Sequence, residues 1–393
     1  MIGDRNFGPY FLGNASSASG TWFQNLAASL LIWRLTHSPF LLGVLNFCNF
    51  IPVLLLAPWA GSAADRFDRR RLLLVTQLGS TLISAVLAVL AWEGLARVWV
   101  VVLSAALLGI GSAFGAPAAL AMVADLVPRE HLGSAVALNS MTFNLARAVG
   151  PALATVSVRK LGIPASIAIN AGSYLVMVAA LLVVHPASRR LAGRGEARLR
   201  ESLRLVREQP RLLAFLLIVT AVGFASDPVN TESPAFAHAF GRPDTDAGYL
   251  IGAFGIGAVL AAFLVAGRAP GSRRRMLLTL TLFGGGIIGY ALVPWLSVGF
   301  VLLAVAGFGY LASNTAATSR LQLDVVDHQR GRVMALWSVA FLGLRPIASL
   351  ADGAIASGFG VRAAAVCLAL PALAAAAAVY FLQRPHRSIT KGT

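Results

Sequence analysis

Charged residues are scarce in this chain. Only 12% of its 393 residues are charged, whereas 57% are hydrophobic, and the mean hydropathy is +0.75. A soluble domain of this length has a much more polar composition, because its surface must face water. The composition therefore excludes a soluble protein and predicts an integral membrane protein.

Cysteine and histidine are also rare, and neither is arranged for chemistry. The two cysteines, Cys48 and Cys367, lie in different halves of the chain inside apolar stretches, so nothing indicates a disulfide or a Cys-x-x-Cys metal pair. The six histidines are scattered without a His-Glu-x-x-His pattern, and no nucleophile-elbow sequence is present. The sequence predicts no metal, no cofactor and no enzymatic activity.

Long hydrophobic runs dominate what is present. Windows of about 20 apolar residues, the length that crosses a hydrocarbon core of about 30 Å, give twelve spans. They lie at 10–33, 41–60, 72–92, 98–124, 134–158, 161–184, 212–238, 248–267, 276–296, 298–321, 333–356 and 361–383. The first run is too long for a signal peptide and lacks a cleavage site, which indicates a retained helix. The predicted fold is an all-α membrane protein of twelve transmembrane helices.

The basic residues lie mainly on one side of these spans. If the N-terminus is cytoplasmic, 24 of the 32 Lys and Arg residues lie in cytoplasmic segments and six in external loops. This asymmetry follows the positive-inside rule, so both termini are predicted to be cytoplasmic in a cell inner membrane. The net charge of +16 then faces anionic lipid rather than nucleic acid.

An internal repeat relates a segment in the first half of the chain to one in the second half, at an offset of 198 residues. The repeat matches Gly133, Ser140 and Arg147 to Gly331, Ser338 and Arg345. We expect two pseudo-symmetric six-helix bundles, residues 1–184 and 212–393, as in transporters that rock around a site between their halves. The Arg-rich linker at 185–211 has apolar residues at helical spacing, typical of an amphipathic surface helix, although a solvated tether is an equal alternative.

A charged hinge follows the second span. Residues 61–71 read Gly-Ser-Ala-Ala-Asp-Arg-Phe-Asp-Arg-Arg-Arg, and this Gly-x-x-x-Asp-Arg pattern resembles the loop between the second and third helices of the major facilitator superfamily of secondary transporters. A glycine there is expected to let two helices approach closely. Asp65 is expected to hold the cytoplasmic side closed by bonding to a neighbouring helix end. The predicted gating residues are Gly61, Asp65, Arg66, Arg69, Arg70, Asp125 and Asp324.

Other segments narrow the resemblance. Residues 20–24, 35–39, 54–58, 64–71 and 139–151 together look like the branch that contains macrolide efflux permeases and enterobactin exporters. The resemblance implies proton-coupled export of a small amphipathic compound by a monomer in the lipid bilayer. An importer or facilitator with the same fold stays open. Many drug exporters also carry an Arg four residues before a fourth-helix Gly, but Ala105 precedes Gly109 here. That coupling scheme does not carry over.

Polar stripes within the spans predict a substrate cavity, since a polar side chain facing lipid is costly. The stripes lie on the first, fifth, tenth and eleventh spans, and nearby aromatic residues are expected to form apolar walls. The predicted cavity residues are Asn14, Thr21, Trp22, Asn25, Asn144, Phe224, Tyr310, Asn314 and Thr318. The alternative for each is ordinary packing, with hydroxyl groups bonded back to their own helix.

Two arginines and one acid form a predicted intramembrane charge network. Arg147 and Arg345 occupy equivalent repeat positions, which favours a structural or gating role over substrate contact. Asp352 lies two helical turns after Arg345, so a direct or water-bridged ion pair is expected between them.

Asp227 and Glu232 are the predicted proton carriers. They lie in the outer part of the seventh span beside Pro228 and Pro234, where a helix is expected to break. No basic residue lies within a helical turn of either acid, so burial is expected to favour the protonated form. The alternative is that both carboxyls already contact external water.

Overall fold

The computed structural model describes residues 4–185, 207, 209–265, 272–323, 325, 333–334 and 336–381. Within these ranges the structure does not describe eight side chains, those of Asp65, Arg129, Ala137, Ser140, Phe143, Asn144, Pro210 and Phe381. Asp324 and most of the predicted linker at 185–211 lie outside the described residues, as do the carboxyl of Asp65 and the amide of Asn144. The expectations for these groups stay predictions. Within the described ranges the regular structure is helical, without strands.

The first half, residues 4–185, contains five helices. Their bounds are α1 Phe7–Thr36, α2 Pro39–Arg66, α3 Arg69–Trp92, α4 Val98–Leu126 and α5 Leu132–Val183, with a 3₁₀ turn at Arg129–His131. Within α5, Gly162 has φ 89°, and Pro164 follows it. This left-handed backbone, which glycine adopts without strain, kinks the 52-residue helix into two arms. α1 packs along α5, and α2 packs along α4.

The second half, residues 209–381, is divided into shorter pieces. Its helices are α6 Pro210–Ala225, α7 Asp227–Thr231, α8 Ser233–Ala239, α9 Ala247–Val265, α10 Arg273–Leu292, α11 Leu296–Leu323, α12 Arg345–Phe359 and α13 Val361–Phe381. A 3₁₀ turn at Asp244–Asp246 precedes α9, and a π-helical turn at Val339–Gly343 precedes α12. α9 and α10 pack along α11, and α13 packs along α10.

Ten helical stretches of the described chain are long and apolar enough to cross a membrane. One of them, Leu145–Val183, has 39 residues, or about 58 Å, roughly twice the thickness of a hydrocarbon core. The kink at Gly162 divides it. α1 has 30 residues but is not among the ten. The all-α, multi-span fold is confirmed, while the count of twelve and the domain boundaries stay predictions.

The predicted seventh span is three short helices, α6, α7 and α8. Pro228 and Pro234 each lie in the first turn of a new helix. Proline has no N–H to donate to the preceding turn, so a helix begins at such a residue more readily than it continues through it. The predicted break is therefore present. It places Asp227 at the start of α7 and Glu232 at the junction with α8.

The two ends of the helical bundle differ. We call the end with Asp4 and the loops at 67–68 and 127–131 the terminal face, and the end with the loops at 37–38, 93–97 and 240–246 the opposite face. The halves meet mainly where α2 packs on α12 and α5 packs on α9. Glycines make these contacts close, since Gly43 abuts Ser349 and Gly353, and Gly248 abuts Thr155. These glycines lie toward the opposite face, which is the sealed side of the interface.

Replacing Gly43 with alanine is expected to destabilise this sealed conformation. The added Cβ would overlap the carbonyl oxygen of Ser349 and lie 3.1 Å from the Cα of Gly353, and overpacking of this kind costs about 1–3 kcal/mol. Gly61 is the matched control in the same helix, because a Cβ there meets nothing within 4 Å in the part of the chain that the structure describes. Thermal unfolding of the purified variants is expected to show a lower midpoint for Gly43→Ala only. Equal midpoints for both variants would contradict the close contact.

The same observation corrects the prediction for Gly61. That residue was expected to allow close helix approach at the hinge, but no atom of the described residues lies within 4 Å of a Cβ added there in this conformation. The close glycine contacts of α2 lie instead at its other end, at Gly43.

Candidate functional site

A small cavity of about 40 Å³ lies between the two halves. α1, α2 and α5 contribute its walls from the first half, and α7, α8, α9 and α12 contribute from the second. We call it the seam cavity. Its lining residues are Trp22, Asn25, Leu26, Ser29, Asn46, Phe50, Pro151, Asn230, Pro234, Ile251 and Arg345. The surface combines amide groups, aromatic rings and one cation, which suits a ligand with both apolar and hydrogen-bonding parts.

A second small cavity of about 30 Å³ lies within the first half. Asn25, Ser29 and Asn46 line both cavities, so the two spaces share one wall. Its remaining lining is Gln24, Ala28, Leu45, Asn49, Leu87, Val101, Ser104, Ala105 and Leu108. The amide-rich wall on α1 and α2 thus extends the hydrogen-bonding surface away from the seam.

The repeat-related arginines both contact the opposite half. Arg147 of α5 donates from Nη1 to the Tyr310 hydroxyl of α11 at 2.7 Å. Its guanidinium carbon lies 4.8 Å from the centroid of the Tyr310 ring and 5.9 Å from that of Trp22. Arg345 of α12 lies over the Phe50 ring of α2, with its guanidinium carbon 4.6 Å from the centroid. Each arginine therefore joins the two halves at mid-length.

Neither arginine is fully satisfied. Nη2 of Arg147 and Nε of Arg345 are buried without a hydrogen-bond partner among the described residues. The side-chain oxygen of Asn230, on the wall of the seam cavity, is also buried and unpaired. Buried polar groups are normally paired, so such a set of unpaired atoms around a cavity favours a ligand-binding site.

Three acids lie beside the arginines within the second half. Asp227 accepts from Ser349 Oγ at 2.9 Å and from Thr231 Oγ1 at 2.8 Å. Glu232 and Asp352 are fully buried, and all four of their carboxyl oxygens lack a partner among the described residues. Glu232 is within electrostatic range of both other acids. We call Asp227, Glu232 and Asp352 the acid cluster.

The acid cluster corrects two expectations. The direct ion pair predicted between Arg345 and Asp352 is absent, because Asp352 has no hydrogen-bond partner and Arg345 is turned toward Phe50 of the other half. Asp227 is the acid within electrostatic range of Arg345. The alternative that Asp227 and Glu232 contact external water is also wrong in this conformation, since the two residues are 1% and 0% exposed.

The predicted cavity residues are only partly brought together. Trp22 and Asn25 line the seam cavity. Asn14 instead donates to Asn139 at 2.6 Å, and Thr21 bonds back to Ser17 of its own helix at 2.8 Å, which is the packing alternative.

The second-half cavity candidates show a similar mixture. Tyr310 is buried among Phe254, Phe283 and Phe341, with its hydroxyl on Arg147. Asn314 and Thr318 each carry a buried, unpaired oxygen, although neither lines the two cavities described above. Phe224 is half-buried and lines neither cavity.

Sequence reasoning missed the contribution of α2. Asn46 and Phe50 lie four residues apart, one helical turn, and both line the seam cavity. The pair of amides at Asn46 and Asn49 in an otherwise apolar span was the available signal, by the same reasoning that identified the polar stripe of the first span.

Four predicted gating residues have described side chains, and these lie on the terminal face, where the contacts between described residues stay within the first half: Arg66, Arg69, Arg70 and Asp125. Arg69 donates to Asp125 at 2.6 Å, linking α3 to α4. Arg70 donates to the carbonyl oxygens of Leu181 and Leu182 at 2.6 and 2.7 Å, at the end of α5. Arg66 is exposed. In this conformation these contacts brace one half and do not join it to the other.

An ion-pair network on the opposite face does join the halves, and the sequence did not reveal it. Arg34 of α1 pairs with Asp244 at 2.6 Å, and Arg159 of α5 pairs with Asp246. Asp246 also accepts from Arg242 at 3.0 Å. We call this set the ion-pair gate. Nearby, the hydroxyl of Thr155 on α5 donates to the carbonyl oxygen of Thr245 at 2.9 Å, which adds a further link between the halves.

Residues 4–390 match the family described as Transmembrane secretion effector. The chain therefore belongs to this family of major facilitator superfamily transporters. It is 26% identical over 383 residues to the Staphyloferrin A transporter of Staphylococcus aureus (strain NCTC 8325 / PS 47), covering 93% of each chain. It is also 26% identical over 390 residues to the Multidrug efflux pump Tap of Mycolicibacterium fortuitum, covering 94% of this chain and 93% of the relative.

Solved structures share the fold. A bacterial homologue of the human lysosomal transporter Spinster, crystallised in an inward-facing and unoccupied conformation, superposes with a TM-score of 0.75 at 18% identity, covering 96% of this chain and 95% of the other. The predicted major facilitator fold is confirmed. The predicted resemblance to macrolide efflux proteins and enterobactin exporters is also confirmed, because curated members of both groups match. The family and these relatives are multi-span membrane transporters.

Proposed function

We propose that this transporter exports a small amphipathic compound from the cell in exchange for protons, by alternating access and without enzymatic chemistry. The observation that carries the proposal is a pair of buried carboxyls without a partner among the described residues, Glu232 at the junction of α7 and α8 and Asp352 on α12, in helices that also line the seam cavity. The efflux pumps and siderophore transporter among the relatives support the direction of transport.

The proton is carried by Glu232 and Asp352. Burying an ionised carboxylate without a donor is very costly, and two neighbouring carboxylates repel one another, so these side chains favour the neutral acid while they are closed off from water. Contact with water in the other conformation lowers the free-energy cost of ionising these carboxyls. A side chain that gains and loses a proton as access alternates is what proton coupling requires.

For Asp227 we propose a different role from the one predicted. It is buried, accepts from two hydroxyl donors and lies within electrostatic range of Arg345, so its position is fixed beside the arginine. We therefore keep Glu232 as a proton carrier, add Asp352, and assign Asp227 to positioning Arg345.

The ion-pair gate and the glycine contacts close the opposite face in the present conformation. With both termini cytoplasmic in the plasma membrane, as the distribution of basic residues predicts, the opposite face is external and the present state is closed to the outside. The contact between Arg69 and Asp125 on the terminal face can then serve the other state, which is open to the outside and closed to the cytoplasm. We propose that one chain suffices, since the seam cavity is lined within a single chain.

Transport in inverted membrane vesicles tests the proposal. Vesicles with an imposed proton gradient, acidic inside, are expected to accumulate at least one of ethidium, erythromycin and fluorescein. Vesicles without the gradient, or with the gradient and a protonophore, are expected to accumulate none of them. Vesicles lacking the protein are the control. Uptake that is unaffected by the protonophore would favour a facilitator, and accumulation only in right-side-out vesicles would favour an importer.

A further inference from the structure

We infer that the seam cavity binds an anionic group of its substrate, of the carboxylate class, between Arg147 and Arg345. The inference rests on the proposed transport function and specifies the substrate of the same site. It follows from an imbalance of charge around the cavity and from donors that no protein group uses.

The two guanidinium groups face the same region. Arg345 lines the seam cavity, and Arg147 lies over Trp22, which lines it too. Each arginine also lies within electrostatic range of the other. Two like charges in a poorly solvated space repel one another and each favours an anionic partner.

The protein supplies too few anions to balance them. Asp227 is the acid within range of Arg345, and it lies more than 4 Å from the guanidinium, because no ion pair is formed and its oxygens accept from Ser349 and Thr231. Glu232 and Asp352 have no hydrogen-bond donor among the described residues. Among these residues neither guanidinium is paired with a carboxylate, so two cations share this region without a paired anion.

Each of the two arginines also has an N–H donor without an acceptor in the described part of the chain. Nη2 of Arg147 and Nε of Arg345 are buried without a partner among the described residues. Planar guanidinium groups bind carboxylates through parallel N–H donors, so a carboxylate between them would satisfy both atoms and supply the missing charge.

The other residues around the cavity indicate the chemistry of the rest of the ligand. Trp22 and Phe50 hold the two guanidiniums by their ring faces and leave apolar surface in the cavity. Asn25, Asn46 and Asn230 add amide groups. The site therefore fits an anionic amphiphile better than a cationic one, which would meet two arginines.

Two xanthene dyes of opposite charge test the inference, because they share a ring system. Binding of fluorescein, an anion, and rhodamine 6G, a cation, to the purified full-length protein is measured by fluorescence anisotropy. We expect fluorescein to bind at least about tenfold more tightly than rhodamine 6G. Arg345→Gln and Arg147→Gln are each expected to remove most of this preference, and Arg345→Lys is expected to retain part of it.

Arg362→Gln is the matched control. This arginine also lies over an aromatic ring, Phe240, at 4.9 Å, and donates to backbone carbonyls of Ala291 and Val293 away from the cavity. It is expected to keep the wild-type preference, and the melting midpoint of every variant shows whether it folds.

Three results would overturn the inference: equal or stronger binding of rhodamine 6G, an unchanged preference in both glutamine variants, or no binding of either dye. Vesicle transport separates this inference from the proposed function. Proton-driven accumulation of rhodamine 6G without any preference for fluorescein leaves the exporter standing and removes the anion site. A preference for fluorescein without proton-driven accumulation supports the anion site and contradicts the proposed proton-coupled export.

Discussion

Replacing Glu232 with Gln and Asp352 with Asn in one variant is expected to abolish proton-driven accumulation of substrate while sparing downhill exchange. The substituted amides keep the size of the side chains but cannot ionise, so the transporter alternates without moving a proton. We expect accumulation in inverted vesicles to fall by at least about tenfold, equivalent to about 1.4 kcal/mol of lost coupling. Exchange of labelled for unlabelled substrate at equal pH is measured in the same vesicles.

Glu93→Gln is the matched control for this variant. Glu93 is exposed at the end of α3, distant from the acid cluster, and its loss is expected to leave both activities at the wild-type level. If the double variant still concentrates substrate with an unchanged dependence on the proton gradient, the proton travels elsewhere. If exchange is lost together with accumulation, the two acids are structural.

Asp246→Asn is expected to open the opposite face. Asp246 is 3% exposed and accepts from both Arg159 and Arg242, so the substitution removes two charge-assisted contacts at once. The side chains of the two arginines remain 40% and 53% exposed. We therefore expect a cost between that of surface and buried pairs, about 1–2 kcal/mol.

A cysteine at Leu26 reports this opening, in a protein whose native cysteines are replaced by serine. Leu26 is 3% exposed and lines the seam cavity, behind the ion-pair gate. A membrane-impermeant maleimide added at the opposite face is expected to label it about five to thirty times faster in Asp246→Asn. Glu93→Gln, which alters an exposed acid on the same face outside the ion-pair gate, is the control and is expected to leave labelling unchanged. Equal labelling of all three proteins would contradict a gating role for Asp246.

The fold could be predicted from sequence because its signals are local. Apolar runs of membrane length, the hinge and the repeat each depend on spacing along the chain alone. The break beside Pro228 and Pro234 is equally local, since proline removes a backbone donor wherever it occurs. The apolar runs and the proline break are present in the structure as helices and helix junctions, while the repeat stays a prediction.

The site was less predictable because its contacts join distant segments. The pairing of Arg345 with Asp352 followed from their spacing on one helix, but the arginine is turned toward Phe50, nearly 300 residues earlier in the chain. The ion-pair gate joins Arg34 to Asp244 and Arg159 to Asp246 through loops whose charges look ordinary in sequence. Only the packing of the halves decides which of these charges meet.

Proton movement driven by substrate tests the central claim most directly. Proteoliposomes holding a pH-sensitive dye receive an inward gradient of the compound that the vesicle panel identifies, with no imposed proton gradient. We expect the lumen to become alkaline as substrate enters and protons leave, and we expect no change in the variant lacking the Glu232 and Asp352 carboxyls. Substrate entry without any change of luminal pH, or with acidification, would contradict proton antiport.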